Sequence, residues 1–297
     1  VSFRRYLISI GLAACLDAAV AAHANDAVLG VFDEGKLLAT GGVSELEGAG
    51  GGGLVPWALI TGYGTDRGIG VDAHVTAVEL PDYRLVSPGV AIGFYDRLEL
   101  SYAWQAFDTE KTGAALGLST GFTFHQSIFG AKLRLAGDAV YDQDSWLPQI
   151  AVGLLHKEND RGAIIAAVGG TNSVGTDFYV SATKLFLAQS LLVDATLRAT
   201  KANQFGILGF GGDRNDGYSA QLEGSAAWLV SRNLAVGGEF RTRPSNLGIA
   251  PENDAWDVFA AWFLNKTLSV TLAYADLGTI AIHPHQRGLY ASLQAGL

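Results

Sequence analysis

In RLELSYAWQAF, residues 97–107, Leu98, Leu100, Tyr102 and Trp104 alternate with Arg97, Glu99, Ser101, Ala103 and Gln105. A period of two marks an extended strand with one apolar and one polar face. The same alternation recurs. Ile69, Val71, Ala73, Val75 and Ala77 oppose Gly70, Asp72, His74 and Thr76. Leu191, Val193, Ala195 and Leu197 oppose Asp194, Thr196 and Arg198. Tyr218, Leu222 and Trp228 oppose Gln221, Glu223 and Ser225, and Leu234, Val236 and Phe240 oppose Glu239 and Arg241. Leu268, Val270, Leu272 and Tyr274 oppose Ser269 and Thr271, and the last run sets Leu289, Ala291, Leu293, Ala295 and Leu297 on one face. Weaker strands are expected over 55–65, 90–94, 129–135, 150–157, 178–185 and 255–264. Beyond residue 24, no segment sustains the three-and-four spacing of an amphipathic helix.

Run length decides what the apolar faces meet. Strands of soluble proteins average ~5–6 residues, whereas a tilted membrane strand needs ~9–11. Short turn signals, Thr65–Gly68, Tyr95-Asp96 and 231–233, alternate with longer polar stretches at 108–113, 138–146, 158–172 and 211–217. That alternation is the habit of outer-membrane barrels. A periplasmic β-sandwich is the soluble rival, but such long apolar faces overfill a sandwich core ~10 Å thick. The chain is therefore predicted to be all-β, an antiparallel transmembrane up-and-down β-barrel of about 12–14 strands. Trp57, Trp104, Trp228, Trp256 and Trp262 are candidates for an interfacial girdle. The polar face becomes the lumen. Its expected lining includes Asp72, His74, Arg97, Glu99, Lys132, Arg134, Asp194, Arg198, Glu223, Glu239 and Arg241. In a wide barrel these set ion preference; in a narrow one they pair across the interior.

Composition agrees. Charged residues are only 16% of the chain against 49% hydrophobic, below the ~25% charge of soluble domains. A net charge of −9 argues against a nucleic-acid partner, which needs a basic face. The chain starts with Val1 and contains no Met, read as a literally translated alternative start codon of a bacterial gene. Residues 1–24 read as an export signal: Arg4 and Arg5, an apolar run from Tyr6 to Leu16, then Ala22-His23-Ala24 before Asn25. The competing reading takes Leu12-Ala13-Ala14-Cys15 as a lipoprotein box. Cys15 is the only cysteine, so a disulfide framework is excluded.

Residues 25–53 form a glycine-rich arm or extra strand ahead of a barrel at 54–297. GGVSELEGAGGGGLVPWALITGYG lacks the Gly-Lys-Ser/Thr of a phosphate loop. Its glycines instead let backbone pass close to a barrel wall. The wider run LLATGGVSELEGAGGGGLVPWALITGYGT resembles the start of the proteobacterial family known as domain of unknown function 3034. So do GDAVYDQDSWLPQIAVG (137–153), ANQFGILGFGGD (202–213), RNLAVGGEFRTRPSNLG (232–248) and DAWDVFAAWFLNK (254–266). The resemblance implies an exported, outer-membrane protein and supplies no activity or catalytic residue.

Other candidate chemistry is thin. Asp138, Asp142 and Asp144 lack calcium-loop spacing and read as a solvated loop. His283-Pro284-His285 reads as a turn, not a metal pair. Asp72, His74 and Thr76 on one face invite a hydrolase reading, but no nucleophile-elbow motif accompanies them. Arg241-Thr242-Arg243 could meet lipopolysaccharide phosphates or a loop carboxylate, with a plain surface charge as the default reading. No cofactor or metal is expected. The expected function is a porin-like channel or uptake protein for small solutes in the bacterial outer membrane. Its partners would be lipid, lipopolysaccharide and the barrel-assembly machinery. The alternative is a non-conducting barrel plugged by the arm, and an outer-membrane hydrolase ranks last.

Overall fold

The computed structural model describes residue 32 and residues 35–297. The expected export signal, its expected cleavage site and Cys15 lie outside them. Twelve strands form a closed barrel: β1 Ile69–Glu79, β2 Arg84–Phe94, β3 Leu98–Asp108, β4 Thr123–Ala136, β5 Gln149–Asn159, β6 Val174–Phe186, β7 Leu191–Thr200, β8 Ser219–Ser231, β9 Leu234–Arg241, β10 Ala255–Phe263, β11 Leu268–Asp276 and β12 Arg287–Gly296. Each pairs antiparallel with its sequence neighbours, and β12 returns to β1 through pairs such as Leu293 with Val75. Closure leaves no sheet edge, which a bilayer core demands because it offers no water to unpaired backbone groups. No helix among the described residues is long and apolar enough to cross a membrane.

Burial is inverted relative to a soluble protein. On β1 the polar residues Asp72, His74 and Thr76 are buried, while Val71, Ala73 and Val75 are only half-buried. On β11 Ser269 and Thr271 are buried and Leu272 is 58% exposed. The outward face is thus an apolar belt, the surface a lipid environment favours. Aromatics border it. Trp228 and Trp262 are more than half exposed near one end, and Trp256 and Tyr274 lie beside each other toward the other.

The two ends differ. One carries mostly short turns, at 95–97, 187–190, 232–233 and 264–267, together with the chain terminus. The longer 137–148 loop is an exception there. The other end carries the tight turn at 80–83 and the long connections at 109–122, 160–173, 201–218, 242–254 and 277–286. Two of these hold short helices, α1 Thr112–Ala115 and α2 Gly162–Ala167.

One expected strand is missing. Residues 55–65 make only an isolated bridge, between Pro56 and Gly51. The barrel begins at Ile69, and the arm continues beyond the expected boundary at 53. The reason is chemical. Both faces of 54–63 meet protein, so the stretch is apolar without an outward side. Trp57 is accordingly no girdle residue: it is buried inside, donating its indole N–H to Ser225 Oγ at 2.9 Å.

Candidate functional site

Every residue from Ala39 to Gly64 is buried, because this arm is folded into the barrel. It starts at the short-turn end. There Lys36 Nζ donates to Ile60 O at 2.7 Å and pairs with Asp96 at 2.8 Å. It rises as a two-residue ladder, Val43–Ser44 with Gly50–Gly51. It turns at Glu45–Gly48, where Glu45 N donates to Ala49 O at 2.8 Å. It then returns to the chain terminus, where Tyr63 N donates to Leu297 O at 3.1 Å. Gly48 has a left-handed φ of 98°, and a Cβ there would lie 2.9 Å from Ala103 Cβ. Only glycine fits such a tip.

A segment with so little strand pairing must place its backbone polar groups elsewhere, and the barrel wall receives them. Glu99 on β3 accepts from Gly50 N and Thr61 N, both at 2.9 Å. Lys132 on β4 donates to Gly50 O at 2.6 Å and Leu59 O at 2.9 Å, and pairs with Glu99 at 3.1 Å. Glu239 on β9 accepts from Gly53 N at 2.7 Å and Leu54 N at 2.6 Å. Pro56 O accepts from Ser181 at 3.0 Å and Thr196 at 2.9 Å. Leu46 O accepts from Ser87 at 2.8 Å and Gln105 at 3.0 Å. The alternating polar positions of the wall are thus partners for the arm.

Around the tip is a dehydrated belt of ion pairs. Glu47 bonds Lys157 and lies 2.8 Å from Arg241. Lys157 also pairs with Asp177 at 2.7 Å. Arg198 holds Glu223 through two bonds, 2.5 and 3.0 Å, and reaches Glu45 at 3.6 Å. Arg241 completes the ring, 3.2 Å from Glu223. Charges taken from water are tolerable only when paired this closely.

The residues singled out by alternation fall into three groups. Glu99, Lys132, Arg198, Glu223, Glu239 and Arg241 are buried and face inward onto the arm or onto one another, and buried Asp194 accepts from the wall hydroxyls of Thr183 and Thr196. Asp72 and His74 are buried at the wall beside them. Asp72 accepts from Thr61 Oγ1 at 3.1 Å and Gln294 Nε2 at 2.5 Å. Neither ring nitrogen of His74 has a hydrogen-bond partner. The hydrolase arrangement is therefore not formed here, since no carboxylate orients the imidazole. The third group lies at the rim. Arg134 is held there by Asp96 and by Gly137 O. Arg97 is a correction: it lies exposed in the turn between β2 and β3, because the strand pairing starts one residue later.

Arg243 meets the loop carboxylate of the two alternatives: it pairs with Glu252 at 3.4 Å and donates to Asn253 O and Leu277 O. It is buried, as is the lumen-facing Arg241, so the default of a plain surface charge does not hold for either. Asp138 accepts from Val140 N at 2.8 Å and pairs with Arg134 at 3.1 Å. Residues 280–283 close a tight turn in which Ile280 and His283 exchange backbone bonds, both at 3.0 Å. Glu45, Glu47, Lys157 and Asp177 escape the alternation argument. The Glu-x-Glu of VSELEG is the available signal, hidden by its glycine-rich surroundings.

The fold has many likenesses among solved structures. The KdgM porin superposes with a TM-score of 0.47 at 10% identity, over 76% of this chain and 98% of that one. The outer membrane phospholipase A from Escherichia coli gives 0.44 at 9%, over 80% and 94%. The COG4313 outer membrane channel from Pseudomonas putida F1 gives 0.45 at 14%, over 77% and 93%. At such identities the likeness is one of barrel architecture and extends to no activity. No curated protein sequence matches the chain. The model of one family, described as "Protein of unknown function (DUF3034)", matches residues 40–294, a span that runs from within the arm into the last barrel strand, and the chain belongs to that family.

Proposed function

We propose that the chain is a porin-like barrel of the bacterial outer membrane, shut at rest by its own residues 36–64. Small solutes pass only when that arm is displaced. The observation that carries this reading is the continuous burial of residues 39–64 inside a closed ring of strands. The apolar belt with bordering aromatics supports a bilayer setting, lipid covering the belt and barrel-assembly machinery inserting it. The end with mostly short turns fits the periplasmic side, and the end with the long loops fits the outer side. The interior charges then act as latches for the arm before they act on any solute.

A second reading, a permanently plugged structural barrel, is favoured by the density of buried pairs around Glu45 and Glu47. Planar-bilayer conductance separates the two. The native protein should be silent or open rarely. Glu45→Gln combined with Glu47→Gln removes the carboxylates that tie the tip to Arg198 and Arg241, and should raise open time at least tenfold. A silent double variant with an intact barrel favours the permanent plug. Steady conductance from the native protein contradicts both.

A further inference from the structure

Above the arm tip, the long connections line a cavity of about 390 Å³, within the ~300–1,000 Å³ of small-molecule sites. Its walls come from the β1–β2 turn, from all five long connections, with Ile164, Ile249 and Ile282 among them, and from the strand ends at Phe107 and Phe124. None of its lining residues is charged. Tyr83 and Thr109 also line it, but their hydroxyls are already engaged, donating to Ile280 O at 3.0 Å and Phe122 O at 2.8 Å.

Gln204 is different. It is 4% exposed, lines the cavity, and its Oε1 has no hydrogen-bond partner. Its Nε2 donates to Thr279 O at 3.3 Å, which fixes which way the amide points. Its backbone N–H is held by Glu252 at 2.9 Å. Gln204 and Phe205 both adopt left-handed φ, 50° and 59°, a conformation that non-glycine residues hold only when their surroundings impose it. A buried acceptor without a donor destabilises the protein that keeps it, so one kept at a cavity wall calls for a donor from a ligand.

We infer that this loop-end cavity is a binding site for a neutral, largely apolar molecule bearing one hydroxyl, such as a medium-chain alcohol or an alkylphenol, with Gln204 Oε1 accepting the hydroxyl proton. The apolar body fills the aliphatic walls. Anionic amphiphiles are disfavoured, since no cation lines the site and Glu252 stands behind Gln204. The floor of the site adjoins the arm. Phe107, Gln204, Ile207 and Ile280 line both this cavity and a smaller one that contains Leu46 of the tip. The site exists whether or not the arm ever leaves the lumen.

Photolabelling with a diazirine-bearing decanol tests this, with the matching decane and decanoate probes alongside. The purified barrel in nanodiscs is irradiated and labelled peptides are mapped. The decanol probe should label segments 109–122, 160–173 and 242–254, at least fivefold over decanoate. Ala167→Trp, which fills the cavity, should abolish that labelling. Gln204→Leu should reduce decanol labelling severalfold and leave decane labelling unchanged. Ile249→Trp, on the β9–β10 connection, is the second filling variant should Ala167→Trp lose its folded, heat-modifiable gel band. Labelling confined to lipid-facing strand residues, or unchanged by a folded filling variant, overturns the inference.

Discussion

Gly52 of the arm faces Glu239 of the wall so closely that a Cβ on Gly52 would lie 1.8 Å from Glu239 Oε1. A free glutamate could swing away, but this one is fixed by Ser225 Oγ at 2.8 Å and by the N–H groups of Gly53 and Leu54. Gly52→Ala should therefore break the arm's seat and destabilise the protein by about 1–3 kcal/mol, as overpacking does. Tryptic cleavage after Lys36 in folded protein should accelerate. Unchanged cleavage and unfolding would show that the arm lies elsewhere.

The ion-pair belt predicts an asymmetry. Arg198→Met leaves Glu223 without its nearest cation and removes one of the two arginines beside Glu45, and should cost about 3–5 kcal/mol, the usual effect of stranding a buried charge. Adding Glu223→Leu to Arg198→Met should recover part of that loss, because the stranded charge goes too. Urea unfolding of the two variants measures the difference. Equal losses would mean that the pair is not coupled in the folded barrel.

The loop cap should respond to pH. Burial pushes the Glu252 carboxyl up to about 7, against the opposing pull of Arg243 and of the Gln204 amide. Below its ordinary value near 4.5 the carboxyl is protonated whether the cap is folded or not. Between there and about 7 only the opened cap releases the proton, so stability is lost progressively across that window as pH rises. Amide exchange at 201–210, corrected for intrinsic rates, should show more protection at pH ~5 than at pH ~8. Glu252→Gln should flatten the trend, with Arg243 still held by Asn253 O and Leu277 O. Protection that rises with pH in the native protein would contradict this.

Trp228 and Trp262 face outward near the short-turn end, while Trp57 is sealed inside. Lipids brominated near the headgroup should quench the first two strongly. In a variant that keeps Trp57 and no other tryptophan, quenching should be close to absent; strong quenching there would place Trp57 at the lipid interface.

Most of the barrel is legible in the sequence because one chemical rule governs every strand: the apolar side meets lipid and the polar side meets the interior. Leu98, Leu100, Tyr102 and Trp104 do face outward, and Glu99 and Gln105 inward. That rule fails where a segment has no lipid side. Residues 55–65 read as a strand because Val55, Leu59 and Ile60 are apolar, yet their partners are other interior groups. Alternation also cannot show what fills a lumen. Glu99, Lys132 and Glu239 look alike in sequence whether they face water or backbone amides, and only the fold reveals that they hold the arm. The loop-end cavity is further from view, since its walls come from six separate connections.

The central claim is that residues 39–64 occupy the barrel interior, and cysteine accessibility tests it most directly. Cys15 is the chain's only cysteine, so a Cys15→Ser background carries a single probe at Ala58 or Leu46. In folded protein both positions should react with a small maleimide at least a hundredfold more slowly than in urea, while a cysteine at exposed Asp144 should react equally fast in both. Rapid modification of both arm positions in the folded barrel would contradict the account.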